Sequence, residues 1–219
     1  MAKNKHRKFS QINDYEHVVQ PTFEELKSFK LRGEWNSSLF KNQQPIVLEL
    51  GCGKGEYTIG LAQQYPNKNF IGVDIKGARI WKGATDALEM RLSNVAFLRT
   101  RIEFIEHCFS FGEVDEIWIT FPDPQVKKRR AKNRLTHPEF LNRYASILKT
   151  NGLIHLKTDS QFLHGYTLGI IEGYNHKLED AEIDIYGAQL KRPHLEIKTF
   201  YESKFLAKGQ PITYLCFRL

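Results

Sequence analysis

The sequence predicts an α/β protein with a mostly parallel sheet of seven strands, an antiparallel strand at one edge, and helices on both faces. Two observations predict this fold class. Short apolar runs alternate with segments of helical periodicity, and the last two runs follow each other without a predicted helix between them. Such alternation is typical of parallel strands joined by crossover helices, whereas a direct return favours an antiparallel pair. A chain of 219 residues is long enough for one domain with its own core.

The individual elements follow from periodicity and from turn residues. The predicted strands are short apolar runs that cover residues 46–50, 69–74, 94–100, 114–121, 152–159, 181–187 and 211–219. The predicted helices carry regularly spaced apolar residues and cover residues 22–31, 55–65, 78–92, 101–109, 137–149 and 160–172. Residues 1–20 are predicted to form a flexible basic arm, and residues 21–219 a single domain.

The composition excludes several classes of protein. Hydrophobic residues make up 41% of the chain and charged residues 26%, as in ordinary globular domains. No apolar run approaches the roughly 20 residues that a membrane span needs. The N-terminus lacks the apolar stretch of a secretory signal, which favours the cytoplasm. The three cysteines are widely spaced, so the sequence predicts neither a disulfide framework nor a metal site.

The net charge of +7 is concentrated in one short segment. Cations fill six of the eight positions from 127 to 134, and without them the net charge would be +1. These residues are Lys127, Lys128, Arg129, Arg130, Lys132 and Arg134. Because like charges at this density repel one another unless something compensates them, the cluster favours a polyanionic partner. We predict that the cluster binds nucleic-acid phosphates beside the active site.

A glycine-rich turn follows the first predicted strand and indicates a cofactor site. The sequence ELGCG, residues 49–53, ends the strand, and Glu56 occupies the position where a dinucleotide-binding fingerprint would need glycine. Glycines allow a ligand to approach the backbone closely, and nearby acids suit a cofactor with a cationic amino-acid tail. Asp74 ends the next strand, where an acid can accept ribose hydroxyls. We therefore predict that Glu49, Gly51, Gly53 and Asp74 bind S-adenosylmethionine.

Two further carboxylates follow the fourth and fifth predicted strands. Asp123 lies within FPDP, residues 121–124, and Asp159 ends the run KTD, residues 157–159. Methyltransferases that act on exocyclic amines have Asn/Asp-Pro-Pro followed by an aromatic residue at the end of the fourth strand. Cytosine-C5 methyltransferases need a nucleophilic cysteine at such a site. Neither pattern is present at residues 121–124. We predict catalytic roles for Asp123, which would hold cofactor and base together, and for Asp159, which would position the base.

The run FPDPQVKKRRAKNR, residues 121–134, followed by TD at the fifth strand, resembles the bacterial tRNA (guanine-N7)-methyltransferase family. The resemblance covers about residues 46–219. It implies a Rossmann-like class I methyltransferase fold, S-adenosylmethionine as cofactor, and methylation of guanine N7 in the variable loop of tRNA. It also implies a monomer or homodimer without an obligate protein partner.

The resemblance assigns residues by their position in the motifs. It implies cofactor contacts at Glu49, Asp74 and Asp123. Substrate contacts are implied at Lys127, Asp159, Thr199, Phe200, Tyr201 and Glu202. The chain departs from the family at Gln125, where the family usually has tryptophan, and at Arg101, where it commonly has Asp or Asn near the adenine. Arg101 is therefore predicted as a cofactor-binding position whose chemistry differs.

Two other functions are compatible with the same residues. One is an S-adenosylmethionine-dependent methyltransferase that acts on another RNA, a protein or a small molecule. The other is a non-catalytic RNA-binding module built on the same scaffold. The basic cluster beside the predicted rim of carboxylates argues against a small-molecule substrate, and the acids predicted to bind the cofactor argue against a mere scaffold.

Overall fold

A computed structural model describes residues 8, 10–187 and 192–219, and these form an α/β domain around one sheet. The strands are β1 Val18–Val19, β2 Ile46–Leu50, β3 Asn69–Asp74, β4 Val95–Arg99, β5 Val114–Thr120, β6 Leu148–Thr158, β7 Lys177–Glu182 and β8 Thr213–Arg218. The labelled α-helices are α1 Glu56–Gln64, α2 Gly77–Glu89, α3 Ile105–Cys108, α4 Pro138–Ala145, α5 Gln161–Gly173 and α6 Phe200–Leu206. Shorter 3-10 helices cover Glu25–Ser28, Ile102–Phe104, Lys128–Asn133 and Pro193–Leu195, and a π-helical turn covers Trp35–Phe40.

The sheet has eight strands in the order β1-β4-β3-β2-β5-β6-β8-β7. The first six strands in this order are parallel to their neighbours, and β8 is antiparallel to both β6 and β7. The predicted fold class is therefore confirmed, with two differences. The sheet gains the two-residue strand β1, and the antiparallel strand lies one position in from the edge that β7 forms.

Helices cover both faces of the sheet, as predicted. Neighbouring residues along the strands divide between two apolar clusters, with Leu48 and Ile71 in one and Val47 and Phe70 in the other. Helices α1 and α2 pack on the second cluster, and α3, α4 and α5 on the first. The central strands are apolar on both faces because both faces are buried. Among the described residues, no helix is long and apolar enough to cross a membrane.

The described part of the predicted N-terminal arm packs on the domain. Ile12 is completely buried, Val18 and Val19 pair with β4, and the Trp81 indole donates a hydrogen bond to the Gln11 amide (2.8 Å). The prediction of a free arm up to residue 20 is therefore wrong for residues 10–20, because the apolar side chains of this stretch, which contains no Lys or Arg, are buried against the sheet and α2. Residues 1–7 and 9 lie outside the described residues.

The predicted helix over residues 22–31 is reduced to the 3-10 helix at Glu25–Ser28. Thr22 does cap it, since its hydroxyl accepts a hydrogen bond from the Glu25 amide (3.3 Å). Only Leu26 of this short helix is buried, and Phe23 remains 62% exposed. Too little of the segment faces the core for a longer helix to be stabilised by packing.

The segment between the last two strands contains a helix that the periodicity of the sequence did not predict. Strand β7 covers Lys177–Glu182 rather than residues 181–187, and helix α6 lies between β7 and β8. Thr199 caps α6 in a capping box with Glu202, in which each side chain bonds the other residue's backbone amide. The Thr-x-x-Glu spacing is the sequence signal of a helix start that would have found this helix.

Candidate active site at the carboxyl ends of the strands

The glycine-rich turn lies between the ends of β2 and β3. The backbone amides of Gly51 and Cys52 both donate to the Val73 carbonyl (2.8 and 3.0 Å), which ties the turn to β3. Gly51 and Gly53 have φ angles of 78° and 58°, in the left-handed region that favours glycine. The left-handed backbone of this turn therefore explains why glycine occupies both predicted positions.

Gly51 faces an open groove. A Cβ built on Gly51 would meet nothing within 4 Å, whereas one on Gly55 would clash with the Phe97 ring at 2.7 Å. The groove extends to both sides of Gly51. One side is lined by Glu49, Lys54, Glu56, Arg79, Thr120, Phe121, Thr199, Phe200 and Tyr201, among others, and the other by Asp74, Ile75, Thr100, Arg101, Asn133, Leu135 and Phe140, among others. A ligand in this groove can therefore lie directly against the backbone of the turn.

Glu49 is 3% exposed and its carboxylate is held from two sides. Thr120 donates its hydroxyl to one oxygen (2.6 Å), while the Thr58 amide (2.8 Å) and hydroxyl donate to the other. Burial raises the pKa of Glu49 to about 7, although these hydrogen bonds oppose the shift. A cation entering the groove would favour the ionised form of this carboxyl.

Asp74 ends β3, where backbone donors hold its carboxylate. One oxygen accepts from the Gly53 amide (3.0 Å) and the other from the Lys76 amide (2.7 Å). Each carboxylate oxygen retains a further lone pair, so Asp74 can also accept hydroxyl groups from the groove. This arrangement suits recognition of a ribose.

The FPDP turn after β5 holds a strained backbone. Phe121 and Gln125 have φ angles of 47° and 44°, and non-glycine residues in this region each cost on the order of 1–3 kcal/mol. Asp123 is exposed, and its carboxylate accepts from the Gln125 amide (3.0 Å). The Phe121 amide donates to the Lys157 carbonyl (2.8 Å), so the turn is attached to the end of β6.

Asp159 follows β6 directly and lies half-buried beside this turn. Because Thr120 and Lys157 are paired in the parallel strands β5 and β6, the residues that follow them emerge at the same edge of the sheet. Burial raises the pKa of Asp159. The structure thus brings the two predicted catalytic carboxylates, Asp123 and Asp159, to one rim.

Five of the six cations of the basic cluster, four of them predicted phosphate contacts and one the predicted substrate contact Lys127, are exposed on and around the 3-10 helix at Lys128–Asn133. These are Lys127, Lys128, Arg129, Arg130 and Lys132. The prediction is wrong for Arg134, which is only 5% exposed. Its guanidinium donates to the Gln125 and Val126 carbonyls (3.1–3.4 Å) and lies over the Phe162 and Tyr166 rings (4.8 and 4.3 Å). Arg134 therefore fastens the FPDP turn and is not available to phosphate.

The predicted substrate segment at residues 199–202 is divided by the start of α6. Thr199, Phe200 and Tyr201 line the groove, and both aromatic side chains are about half exposed. Glu202 is completely buried, and its carboxylate contacts Lys157 at 2.7 Å. The predicted direct contact of Glu202 with the substrate is therefore wrong, because donors from the protein itself occupy its carboxylate.

Arg101, predicted as a cofactor-binding position, lies on the Asp74 side of the groove. Its guanidinium is exposed and pairs with Glu103 (2.9 Å). Sequence reasoning missed the two threonines that hold Glu49, which are the buried Thr58 and the groove residue Thr120. It also missed Arg79 and Lys54, which bring cations to the groove. The sequence signal that could have identified Thr120 is its position directly before FPDP.

Comparison with known proteins identifies the family. A family model described as "Putative methyltransferase" matches residues 43–215. The tRNA (guanine-N(7)-)-methyltransferase of Christiangramia forsetii is 55% identical over 221 positions, covering 100% of this chain and 99% of the relative. The enzyme of the same name from Bacteroides thetaiotaomicron is 49% identical and covers 100% of this chain and 87% of the relative. The chain belongs to the tRNA (guanine-N7)-methyltransferase family.

Solved structures share the fold of this methyltransferase at lower identity. The 16S rRNA methyltransferase KamB aligns with a TM-score of 0.63 and 14% identity over 84% of this chain and 91% of KamB. An antibiotic-related methyltransferase aligns with a TM-score of 0.60 and 17% identity over 93% of this chain and 96% of the other. The family match at residues 43–215 contains every predicted site residue from Glu49 to Glu202, so the groove and the basic cluster lie in the part of the chain that the family shares.

Proposed function

We propose that this chain uses S-adenosylmethionine to methylate N7 of a guanine in the variable loop of tRNA, in the cytoplasm and without an obligate protein partner. One observation carries the proposal: a groove lined by carboxylates opens at the same edge of the sheet as the exposed cluster of Lys127, Lys128, Arg129, Arg130 and Lys132. A small-molecule methyltransferase would have no use for these cations.

The groove fits S-adenosylmethionine. Asp74 is placed to accept the ribose hydroxyls, and Glu49 to attract the ammonium of the amino-acid tail, while Lys54 and Arg79 can bind its carboxylate. The open space in front of Gly51 lets the cofactor lie against the turn. When bound, the cofactor supplies a methyl group activated by its sulfonium centre, and the unprotonated guanine N7 accepts it.

Asp123 and Asp159 supply what the transfer needs from the protein. The transfer requires no general base, so in-line placement of the guanine accounts for most of the rate enhancement. Such placement can be worth roughly 7–11 kcal/mol. A carboxylate beside the ring stabilises the positive charge that develops on the purine. It can also accept the guanine N1–H and N2–H₂ groups, which adenine does not present in the same way.

The RNA would be bound on two sides of the groove. The basic cluster provides the phosphate contacts, and Phe200 and Tyr201 provide exposed rings for stacking with an unpaired base. The Lys54 and Lys204 ammonium groups lie 4.6 and 4.3 Å from the centre of the Phe200 ring. Cations beside an exposed aromatic ring suit a nucleotide, which combines a base with a phosphate.

The test is to incubate the purified protein with bulk tRNA and methyl-labelled S-adenosylmethionine, and then to identify the labelled nucleoside after digestion. We expect label in 7-methylguanosine only, and none in a tRNA transcript whose variable-loop guanines are replaced by adenine. Label in another nucleoside, or none despite cofactor binding, would refute the proposed reaction. Label that persists in the adenine-substituted transcript would refute the variable loop as the target.

Gly51→Ala is expected to weaken cofactor binding about tenfold, since overpacking by a methyl group costs about 1–3 kcal/mol. The added Cβ would stand in the groove where the cofactor passes. Gly112→Ala is the matched control, because Gly112 has nearly the same φ (72°) and its Cβ would also meet nothing within 4 Å. Both variants carry left-handed strain of about 1–2 kcal/mol. Equal cofactor dissociation constants in the two variants, measured by calorimetry, would place the cofactor elsewhere.

Cofactor binding is expected to depend on pH through Glu49, whose pKa is raised to about 7. At pH 8 the carboxylate is already ionised, whereas at pH 6 a bound ammonium must first displace its proton. Relative to Glu49→Gln, which cancels the titration of the ammonium itself, the dissociation constant should therefore rise about tenfold from pH 8 to pH 6, the change in the ionised fraction of a group with a pKa of about 7. Titrations of the wild type and Glu49→Gln at both pH values test this. A wild-type profile that parallels that of Glu49→Gln would show that Glu49 does not face the ammonium.

A further inference from the structure

We propose that Lys157 is a positioning residue for methyl transfer, because its side chain holds the segment Arg192–Glu202 over the groove. This inference deepens the proposed function and rests on it for the identity of the reaction. We call this segment the strap. It ends in Thr199, Phe200 and Tyr201, which line the groove, and in Glu202, which is buried beneath it.

The Lys157 ammonium uses all three of its donors on the strap. It contacts the Glu202 carboxylate at 2.7 Å and donates to the Leu195 and Ile197 carbonyls at 2.8 and 3.0 Å. The side chains of Lys157 and Glu202 are both 0% exposed. A lysine has three N–H donors and no acceptor, so this ammonium is fully satisfied by the strap.

Glu202 transmits this hold to the start of α6. The oxygen that faces Lys157 also accepts from the Tyr186 hydroxyl (2.7 Å), and the other oxygen accepts from the Thr199 amide (3.3 Å). The Glu202 amide in turn donates to the Thr199 hydroxyl (3.2 Å). The ion pair therefore fixes the first turn of α6, which presents Phe200 and Tyr201 to the groove.

The strap is also attached to α1, the helix that begins at the glycine-rich turn. The Tyr57 hydroxyl donates to the His194 carbonyl, and the Phe200 amide donates to the Glu56 carboxylate (2.9 Å). A Cβ on Gly60 would lie 2.6 Å from the Ile197 side chain, so the strap packs directly on this helix. The strap thus bridges α1 and the end of β6.

Lys157 joins three parts of the site. Its side chain holds the strap, its carbonyl accepts from the Phe121 amide of the FPDP turn (2.8 Å), and it lies two residues before Asp159. A buried ion pair is weak evidence that its residues are there only for stability, because the cost of desolvation offsets their attraction. Apolar residues of similar volume often stabilise a core equally well. The position of this pair, below the residues that face the substrate, points instead to placement of those residues.

The test compares Lys157→Met, which keeps most of the side-chain volume, with Leu148→Ala at the opposite end of the same strand. Both variants are assayed at a temperature at which thermal melts show them folded. We expect Lys157→Met to lower kcat about 100-fold, the scale of a misplacement of about 1 Å, with the dissociation constant for tRNA changed less than about threefold. Leu148→Ala should keep kcat near that of the wild type, because it removes only core packing.

Hydrogen exchange gives a readout that does not require activity. In Lys157→Met, amides of Arg192–Leu206 should exchange faster, while those of Pro138–Ala145 in α4 stay unchanged. Unaltered exchange in the strap, or the same kcat in Lys157→Met as in Leu148→Ala, would overturn the inference. A wild type that makes no 7-methylguanosine would instead overturn the proposed function, and the exchange result would still decide whether Lys157 holds the strap.

Discussion

Asp159→Asn is expected to reduce kcat by about 10²–10³-fold, the loss typical of removing one group that stabilises transition-state charge. Asparagine has nearly the same size, but it lacks the negative charge that would offset the positive charge developing on the purine. One of the two acceptor oxygens would also be replaced by an NH₂ donor, which cannot pair with the guanine N1–H or N2–H₂ group. Because Asp159 lies half-buried at the end of β6, water does not fully replace the lost charge.

Single-turnover kinetics with saturating tRNA, together with calorimetric titration of the cofactor, would test this prediction. The cofactor dissociation constant should stay within about threefold of wild type, since Asp159 is predicted to position the base. Asp123→Asn should lower kcat and weaken cofactor binding together. Asp86→Asn, in the last turn of α2 and away from the carboxyl ends of the strands, is the control and should leave kcat unchanged. Near-normal turnover by Asp159→Asn would remove Asp159 from the catalytic role.

Neutralising part of the basic cluster is expected to remove much of the salt dependence of tRNA binding. Each phosphate contact contributes about 0.7–0.9 to the slope of log affinity against log salt concentration. Replacing Lys128, Arg129 and Arg130 by alanine should therefore flatten the slope by about 2–3. This corresponds to roughly 20–40-fold less loss of affinity between 50 and 200 mM salt.

The matched control removes three exposed lysines at the opposite end of the sheet, Lys41, Lys149 and Lys177, each before or at the start of a strand. It changes the net charge by the same amount, so it corrects for long-range attraction. Binding is measured by filter retention at four salt concentrations. Equal slopes in the two triple variants would show that the cluster is not the phosphate-binding surface. Arg134→Ala should differ from both by lowering the melting temperature, because Arg134 fastens the FPDP turn from within.

The sequence alone predicted the fold class and the residues at which most of the strands end. Strands β2 to β5, and β6 from Ile154 onward, are largely buried on both faces, so each of these stretches is a short apolar run that is recognisable without knowledge of its neighbours. The positions of Glu49, Asp74 and Asp159 follow from this, because a polar residue at or directly after a buried parallel strand lies at the edge where ligands bind. The long motif at residues 121–134 then indicated the family, which the comparisons confirm.

The tertiary structure decided which charged residues face the solvent. Arg134 has the same local sequence environment as the exposed cations before it, but the Phe162 and Tyr166 rings of α5 cover it. Glu202 belongs to a motif that resembles a substrate site, yet Lys157 from β6 holds it in the interior. A local pattern records propensity and periodicity, whereas the burial of a charge depends on partners that are distant in the sequence. For that reason the chain by itself determined the fold and the rim of carboxylates, and only the folded structure separated the residues available to substrate from those that hold them in place.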